Sequence, residues 1–364
     1  MNSRHLLMMA GGTGGHIFPG LAVARALRER GWRVSWLGTE SGMEQTLVPR
    51  GIFPLHTIEF EGIVGRGLKP KLALPWRLFK AYRHGRQLLT ELKPDVVIGM
   101  GGYPTVPVGL GAARKHIPLV IHQSDAVAGL ANKLLARVAS RVLVGFSSVF
   151  NDVADKRIVT GNPIRPEFAR FPVPAARAAA RTGPLHLLMM GGSRGAEAIN
   201  ALLPAALALI PESQRPVVTH QAGRGSREKT QALYDSLNVR ANVVEFIDDS
   251  PSALAVCDVF VGRSGASTVS ELAALGVASI LIPYPHHKDQ QQLHNARILE
   301  SVGAAKALPQ IGLTKEALAT EIAALKRDAC LAMSVAALNV AKPNATAEIC
   351  DVIESLASKA EVAR

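Results

Sequence analysis

The chain has 364 residues, which exceeds the usual size of one domain and favours two, and its 48% hydrophobic residues are enough for a core in each. The formal net charge of +12 indicates an anionic partner, which leaves open nucleic acid, a phosphorylated metabolite or an acidic membrane surface. The three cysteines are widely spaced and lie outside any CxxC or histidine ligand pattern, so we predict a reducing compartment and no structural metal.

The first apolar run covers only residues 6–10 before glycines interrupt it, which is too short for a signal peptide or a transmembrane helix. The sequence also lacks any run of about 18 apolar residues that would cross a bilayer. We therefore expect a cytoplasmic protein that can still bind a membrane surface.

The pentapeptide HLLMM occurs twice, at residues 5–9 and 186–190, and each copy precedes a glycine-rich loop and a helical pattern. This repeat predicts two similarly wound α/β halves. The loop after the first copy reads GGTGGH from Gly11 to His16, where glycines allow a ligand to approach the backbone closely. It matches neither the GxGxxG dinucleotide fingerprint nor a phosphate loop ending in Gly-Lys-Ser/Thr, which argues against a dehydrogenase or an NTPase.

Further buried strands are predicted at residues 34–37, 96–100 and 119–121 in the first half. Residues 217–219, 243–247, 259–261 and 278–282 form the equivalent set in the second half. Polar or glycine-rich loops follow most of them, including Gly101-Gly102-Tyr103. Because ligands gather outside the carboxyl ends of parallel strands, we expect these loops to face one crevice.

Residues 262–295 contain two such loops after adjacent strands. The first is rich in small residues and opens a helix, where unpaired backbone N–H groups favour an anion. The second holds histidine, lysine, aspartate and glutamine side chains. Together they predict a pocket for an anionic ligand.

Residues 62–89 form a basic segment that contains neither aspartate nor glutamate. One interpretation is a surface helix whose apolar stripe packs on its own domain. The other is a membrane patch, in which aromatic side chains enter the headgroup layer while cations meet anionic lipid. The patch residues would be Leu72, Trp76, Phe79, Tyr82, Lys69, Lys80 and Arg83.

Seven motifs in order, GGTGGHIFPGLAVA, GMGGYPTVP, GNPIR, GGSRGA, FIDD, GRSGASTVSEL and HHKDQQQLHNA, resemble the MurG family of glycosyltransferases in bacterial peptidoglycan synthesis. The resemblance implies a GT-B fold with two Rossmann-like doubly wound parallel-sheet domains facing a cleft. Residues 1–163 with 343–364 would form the acceptor- and membrane-binding domain, and residues 164–342 the domain that binds the donor.

The reaction implied by the resemblance is an inverting transfer of N-acetylglucosamine from UDP-N-acetylglucosamine. The acceptor is the C4 hydroxyl of N-acetylmuramoyl-pentapeptide on undecaprenyl pyrophosphate, so that lipid I becomes lipid II. The implied location is the cytoplasmic face of the inner membrane, as a peripheral protein. An anionic membrane surface and proteins of cell-wall synthesis are the other expected partners. Nucleic acid, a cofactor and a bound metal are not expected, while stimulation by Mg²⁺ stays open.

The resemblance also assigns roles to individual residues. His16 is the candidate base, with a positioning role as the alternative. The acceptor pyrophosphate would lie on Gly11, Gly12, Gly101, Gly102 and Tyr103. The donor would be bound by Glu271 at the ribose, Gln291 and Gln292 at the sugar, Phe246 and Ile247 at the uracil, Ser193 and Arg165 at the diphosphate, and Thr13, Gly14 and Gly15 from the first half.

Two positions depart from the family pattern. Asp125 stands where the family has an asparagine, which keeps an acceptor for the donor sugar but loses the amide donor. Arg194 replaces the glutamine of GGSQGA beside the phosphate site. Two other functions remain open: a UDP-N-acetylglucosamine 2-epimerase, which needs no lipid acceptor, and a nucleic-acid-binding protein, which rests on net charge alone.

Overall fold

The computed structural model describes residues 3–60, 74–192 and 196–362. The chain divides into two compact units, Met1–Ile164 with Pro343–Arg364, and Arg165–Lys342. Each unit is built on one parallel β-sheet flanked by helices. The two units are called the N-terminal and the C-terminal unit below.

The sheet of the N-terminal unit has seven strands within the described residues, in the order β3-β2-β1-β4-β5-β6-β7. All of its strand pairs are parallel, and the order reverses between β1 and β4. The strands are β1 (His5–Met9), β2 (Arg33–Thr39), β3 (Leu55–Ile58), β4 (Val96–Gly99), β5 (Leu119–Gln123), β6 (Arg141–Val144) and β7 (Arg157–Val159). The helices are α1 (Gly14–Glu29), α2 (Glu44–Leu47), α3 (Leu74–Leu92), α4 (Thr105–Arg114) and α5 (Leu130–Ala136), with a 3-10 turn at Asn151–Val153.

The described part of the C-terminal unit has a six-stranded parallel sheet in the order β10-β9-β8-β11-β12-β13, which reverses between β8 and β11. Its strands are β8 (His186–Met190), β9 (Val217–Gln221), β10 (Asn242–Val244), β11 (Val259–Gly262), β12 (Ala278–Leu281) and β13 (Ala305–Ala307). Its helices are α6 (Pro174–Ala179), α7 (Glu197–Ala208), α8 (Arg227–Ser236), α9 (Ser250–Val256), α10 (Ala266–Leu275), α11 (Gln291–Ser301), α12 (Lys315–Ala324) and α13 (Arg327–Ala337), with 3-10 turns at Pro166–Arg170, Glu212–Gln214 and Leu338–Val340.

The two HLLMM segments are the central strands β1 and β8 of the two sheets. An aspartate just before the neighbouring strand fixes each of them at its start. The N–H of His5 donates to Asp95 Oδ2 and the N–H of His186 donates to Asp258 Oδ2, both at 2.8 Å. The repeated sequence therefore forms a repeated structure, in which the backbone N–H of each histidine donates to an aspartate carboxylate.

The last helix, α14 (Ala345–Val362), belongs to the N-terminal unit although the C-terminal unit precedes it in the chain. Ile349 and Ile353 are fully buried in the same apolar core as Leu6 and Val23. At the surface, the Arg30 guanidinium donates to Asp351 at 2.6 Å and to Glu354 at 2.8 Å. The core of the N-terminal unit is thus shared between both ends of the chain.

The segment from residue 171 to 184, which has little sequence signal, carries two arginines that contact helix ends. Arg177 donates to the carbonyl oxygens of Leu275 and Gly276, where α10 ends. Arg181 donates to Asp258 at 2.8 Å and to the carbonyl oxygens of residues 255 and 257, where α9 ends. A cation at a helix C-terminus stabilises the unpaired carbonyls and the negative end of the helix dipole.

Candidate active site

In the N-terminal unit, two glycine-rich loops meet where the sheet order reverses, after β1 and after β4. Gly12, Gly101 and Gly102 have φ of 87°, 115° and 93°, which favour glycine. A Cβ on Gly101 would lie 2.8 Å from the His16 imidazole, and one on Gly102 would lie 2.9 Å from the Gly11 carbonyl oxygen. The structure therefore brings Gly101 and Gly102 against Gly11 and His16, as the sequence suggested, and the absence of a Cβ on the two glycines allows this close approach.

His16 lies in the first turn of α1 and is half-buried. Its Nδ1 is 3.2 Å from the carbonyl oxygen of Gly11 and 3.5 Å from Thr13 Oγ1. A carbonyl oxygen can only accept, so the contact with Gly11 requires the hydrogen on Nδ1. Neutral His16 then has its lone pair on Nε2, which is the state that can take a proton from a hydroxyl.

His122 lies fully buried at the end of β5, near His16. The pKa of His122 is lowered to about 4, mainly by burial and to a smaller extent by the charge of His16, and the hydrogen bond to the Gly161 carbonyl oxygen offsets part of this shift. His122 is therefore neutral at physiological pH. Asp125 follows in the next loop and is half-buried.

Glu44 was not suggested by any motif, yet its carboxylate lies directly behind the loop after β1. The residue is fully buried in the short helix α2. Its Oε2 accepts from the Gly12 N–H at 3.1 Å, and its Oε1 accepts from the Thr39 N–H at 2.6 Å. The GTESGME segment holds two glycines around this glutamate, which is the one local hint in the sequence.

In the C-terminal unit, Glu271 on α10 faces Arg165. The Arg165 guanidinium is 3.5 Å from Glu271 Oε1 and also donates to Ser250 Oγ. Burial raises the pKa of Glu271 to about 7, although the charge and hydrogen bond of Arg165 act in the opposite direction. The Glu271 side chain keeps 20% exposure, so a ligand can reach a carboxylate that the protein itself satisfies only in part.

Gln292 connects the loops that follow β11 and β12. Its Oε1 accepts from the Tyr284 N–H at 2.9 Å and, more weakly, from the Ser264 N–H at 3.4 Å. Its neighbour Gln291 donates to Asp289 at 2.9 Å. Because the Gln292 oxygen is used within the protein, this residue shapes the pocket and has its amide N–H₂ for donation to a ligand.

Of the remaining residues predicted to bind the donor in this unit, two lie in the described part of the chain and two do not. Phe246 is 59% exposed and Ile247 is half-buried, just after β10 at the carboxyl edge of the sheet. Ser193 and Arg194, predicted to lie at the diphosphate, fall outside the described residues.

The basic segment forms α3 over its described part, and Lys69 and Leu72 fall outside the described residues. The face of α3 that packs on the unit is made by Ala81, Gly85, Leu88 and Leu89. Trp76 and Phe79 lie elsewhere on the helix, 70% and 49% exposed, with ring centroids 6.0 Å apart. Tyr82 is half-buried, and Lys80 and Arg83 are exposed. None of the helices in the described ranges combines the length and apolar character needed to cross a bilayer.

Solved structures share this fold. A crystal structure of Acinetobacter baumannii MurG superposes with a TM-score of 0.86 at 36% identity and covers 97% of this chain and 99% of that one. A putative UDP-N-acetylglucosamine 2-epimerase from Listeria monocytogenes superposes with a TM-score of 0.69, but at 14% identity it shows the GT-B-type fold alone.

Curated relatives match over nearly their whole length. Proteins of Cupriavidus metallidurans and Nitrosomonas europaea are 49% and 46% identical, covering 99% and 97% of this chain and 100% and 99% of the relatives. Both are named UDP-N-acetylglucosamine--N-acetylmuramyl-(pentapeptide) pyrophosphoryl-undecaprenol N-acetylglucosamine transferase. The N-terminal domain of glycosyltransferase family 28 matches residues 6–144, and its C-terminal domain matches residues 186–349. With both domains and these relatives, the chain belongs to glycosyltransferase family 28.

Proposed function

We propose that this enzyme transfers N-acetylglucosamine from UDP-N-acetylglucosamine to N-acetylmuramyl-(pentapeptide) pyrophosphoryl-undecaprenol. The observation that carries the proposal is the identity of 46–49% to transferases of that name over nearly the full chain. The polar groups of the two units agree with this reaction. The C-terminal unit has the Glu271 carboxylate, which suits a nucleotide sugar, and the N-terminal unit has His16 beside glycine-rich loops, which suits a hydroxyl acceptor on a pyrophosphate.

The donor is assigned to the C-terminal unit. The Glu271 carboxylate accepts hydrogen bonds from the two ribose hydroxyls, because a carboxylate has two oxygens at the spacing of a vicinal diol. Gln291 and Gln292 contact the sugar hydroxyls, and Phe246 with Ile247 contacts the uracil. Arg165, Ser193 and Arg194 complete the diphosphate site. Thr13, Gly14 and Gly15 are also assigned to the donor, and Asp125 to its sugar.

The acceptor is assigned to the N-terminal unit, with its pyrophosphate on Gly11, Gly12, Gly101, Gly102 and Tyr103. His16 Nε2 takes the proton of the C4 hydroxyl as that oxygen bonds to C1 of N-acetylglucosamine. The bond from C1 to the phosphate oxygen breaks, and UDP leaves with the electron pair. The N–H groups at the start of a helix stabilise the negative charge that develops on UDP. One displacement inverts the anomeric carbon.

The reaction is tested by incubating the purified protein with labelled UDP-N-acetylglucosamine and a lipid I analogue in detergent. We expect label in the lipid product and stoichiometric release of UDP. A second incubation without acceptor is analysed by liquid chromatography for an epimerised UDP-sugar. Epimer formation with unlabelled lipid would contradict the transferase assignment and favour the epimerase.

We further propose that the exposed face of α3 binds an anionic membrane surface, where the acceptor lipid resides. Trp76 and Phe79 would enter the headgroup layer while Lys80 and Arg83 meet lipid charge, at about 1 kcal/mol per cation. On this proposal the enzyme works as a peripheral protein at the cytoplasmic face of the inner membrane.

The double substitution Trp76→Ser with Phe79→Ser is expected to reduce sedimentation with vesicles that contain anionic lipid. Turnover on a water-soluble acceptor should stay unchanged, because these side chains lie outside the assigned substrate contacts. The matched control is Ile311→Ser, which removes an apolar side chain that is 78% exposed in the C-terminal unit. Equal sedimentation of the double variant and the wild type would contradict membrane binding by α3 and favour a surface helix that only packs on its own unit.

A further inference from the structure

The buried carboxylate of Glu44 joins two loops of the N-terminal unit. Glu44 Oε1 accepts from the N–H of Thr39 at 2.6 Å and from its hydroxyl at 2.9 Å, while Oε2 accepts from the Gly12 N–H at 3.1 Å. Thr39 ends β2, and Gly12 lies in the loop after β1. Burying a carboxylate is unfavourable unless it is well hydrogen-bonded, so these contacts account for how Glu44 can be buried.

Three glycines surround the same side chain. A Cβ on Gly11 would lie 2.9 Å from Glu44 Oε1, and Cβ atoms on Gly38 and Gly42 would lie 2.3 Å and 2.1 Å from atoms of the glutamate side chain. Residues with a Cβ cannot occupy these positions unless the glutamate moves. Three backbone positions thus leave room for the Glu44 side chain. A glutamate exposed on the surface would not require glycine at these positions.

The group that Glu44 contacts is the peptide between Gly11 and Gly12, and its other end contacts His16. The N–H of this peptide donates to Glu44 Oε2, and its C=O accepts from His16 Nδ1 at 3.2 Å. A hydrogen bond to the N–H of an amide polarises it and makes its oxygen a better acceptor. The carboxylate is thus linked to the imidazole through a single peptide group.

We propose that Glu44 is a positioning residue which, through the Gly11–Gly12 peptide, holds His16 in the tautomer that carries its hydrogen on Nδ1. Nε2 is then the only ring nitrogen with a lone pair. In a catalytic triad, a carboxylate that accepts directly from Nδ1–H holds the histidine in one tautomer. Here the Glu44 carboxylate would have the same effect on His16 through an intervening peptide group. The consequence for turnover rests on the proposed function, whereas the tautomer does not.

The tautomer is measured directly by long-range ¹H–¹⁵N correlation spectra of protein with ¹⁵N-labelled histidine, under conditions where His16 is neutral. His16→Gln identifies the signal by its loss. We expect wild-type His16 to be protonated at Nδ1, and Glu44→Gln to shift it towards the Nε2-protonated form. If the amide oxygen faces the two donors of Thr39, the amide N–H₂ meets the Gly12 N–H and that contact is lost. If the oxygen faces Gly12 instead, it accepts more weakly than a carboxylate, so the contact to the peptide is weakened in both orientations.

Two further variants separate positioning from general loss of structure. Thr39→Val removes a hydroxyl donor from Oε1 and leaves the contact with the Gly12 N–H, so it should lower the melting temperature without changing the tautomer. Glu40→Gln removes the charge of an exposed neighbour and should change neither. A wild-type spectrum with the hydrogen on Nε2 would overturn the proposal whether or not Glu44→Gln folds, as would an unchanged tautomer in folded Glu44→Gln.

Kinetics then separate the two proposals. We expect Glu44→Gln to lower kcat by about 10- to 100-fold, as the loss of a group that orients a metal-bound histidine does, while the KM for the donor stays constant. A changed tautomer with normal kcat would support the role of Glu44 and contradict His16 as the base. An unchanged tautomer with reduced kcat would contradict the role of Glu44 alone.

Discussion

Replacing His16 with alanine is expected to lower kcat by about 10²- to 10⁴-fold, the usual contribution of a positioned general base. The physical reason is that the C4 hydroxyl of the acceptor is a weak nucleophile until its proton is taken during attack. UDP binding, measured by calorimetry, should remain intact, because the nucleotide is assigned to Glu271 and its neighbours in the C-terminal unit.

His16→Gln distinguishes a base from a residue that only positions the acceptor. Glutamine can hydrogen-bond to a hydroxyl but cannot take its proton, so as a base His16 would be as poorly replaced by glutamine as by alanine. His84→Ala, at an exposed position of α3, controls for the loss of a histidine elsewhere in the unit. If His16→Gln keeps kcat within about ten-fold of the wild type, His16 positions the acceptor and another group takes the proton.

Replacing Glu271 with alanine is expected to weaken UDP binding by about 10²- to 10⁴-fold, because two hydrogen bonds to a charged acceptor contribute roughly 1.5–3 kcal/mol each. The measurement is isothermal calorimetry with UDP. The control is Glu316→Ala, at an exposed position in the first turn of α12, which should leave the affinity for UDP unchanged. An unaltered dissociation constant in Glu271→Ala would refute the ribose assignment.

The same carboxylate predicts a pH dependence. Burial raises the pKa of Glu271 to about 7, so free protein near neutral pH holds a mixture of the acid and the carboxylate. Since only the carboxylate accepts from both hydroxyls, affinity should fall as the pH decreases through about 7, and Glu271→Gln should remove this dependence. Uridine, which has no phosphate to titrate, is the suitable ligand for this comparison.

The sequence predicted the general plan because the plan depends on local patterns. The repeated HLLMM and the glycine loops behind it mark β1 and β8, and parallel strands place the following loops at one edge. Gly101 and Gly102 could be assigned to the neighbourhood of Gly11 for the same reason. The resemblance to a known family added the identities of the substrates, which periodicity and charge could not supply.

What the sequence did not predict depends on contacts between distant residues. Glu44 lies in a four-residue helix with no periodic signal, and its link to Gly12 spans 32 positions. Arg177 reaches the end of α10 across 98 and 99 positions from a segment that appeared to be a plain connector. Such contacts depend on how the chain is packed, so a local pattern carries no information about them.

The shared core of the N-terminal unit has a consequence for synthesis on the ribosome. Ile349 and Ile353 of α14 fill that core, so a nascent chain that stops short of them presents an open apolar surface around β1 and α1. Residues 165–342, which form the C-terminal unit, are translated before α14. Nascent domains generally fold in the order in which they are made. In this enzyme the core of the N-terminal unit can be completed only after the whole C-terminal unit has been translated.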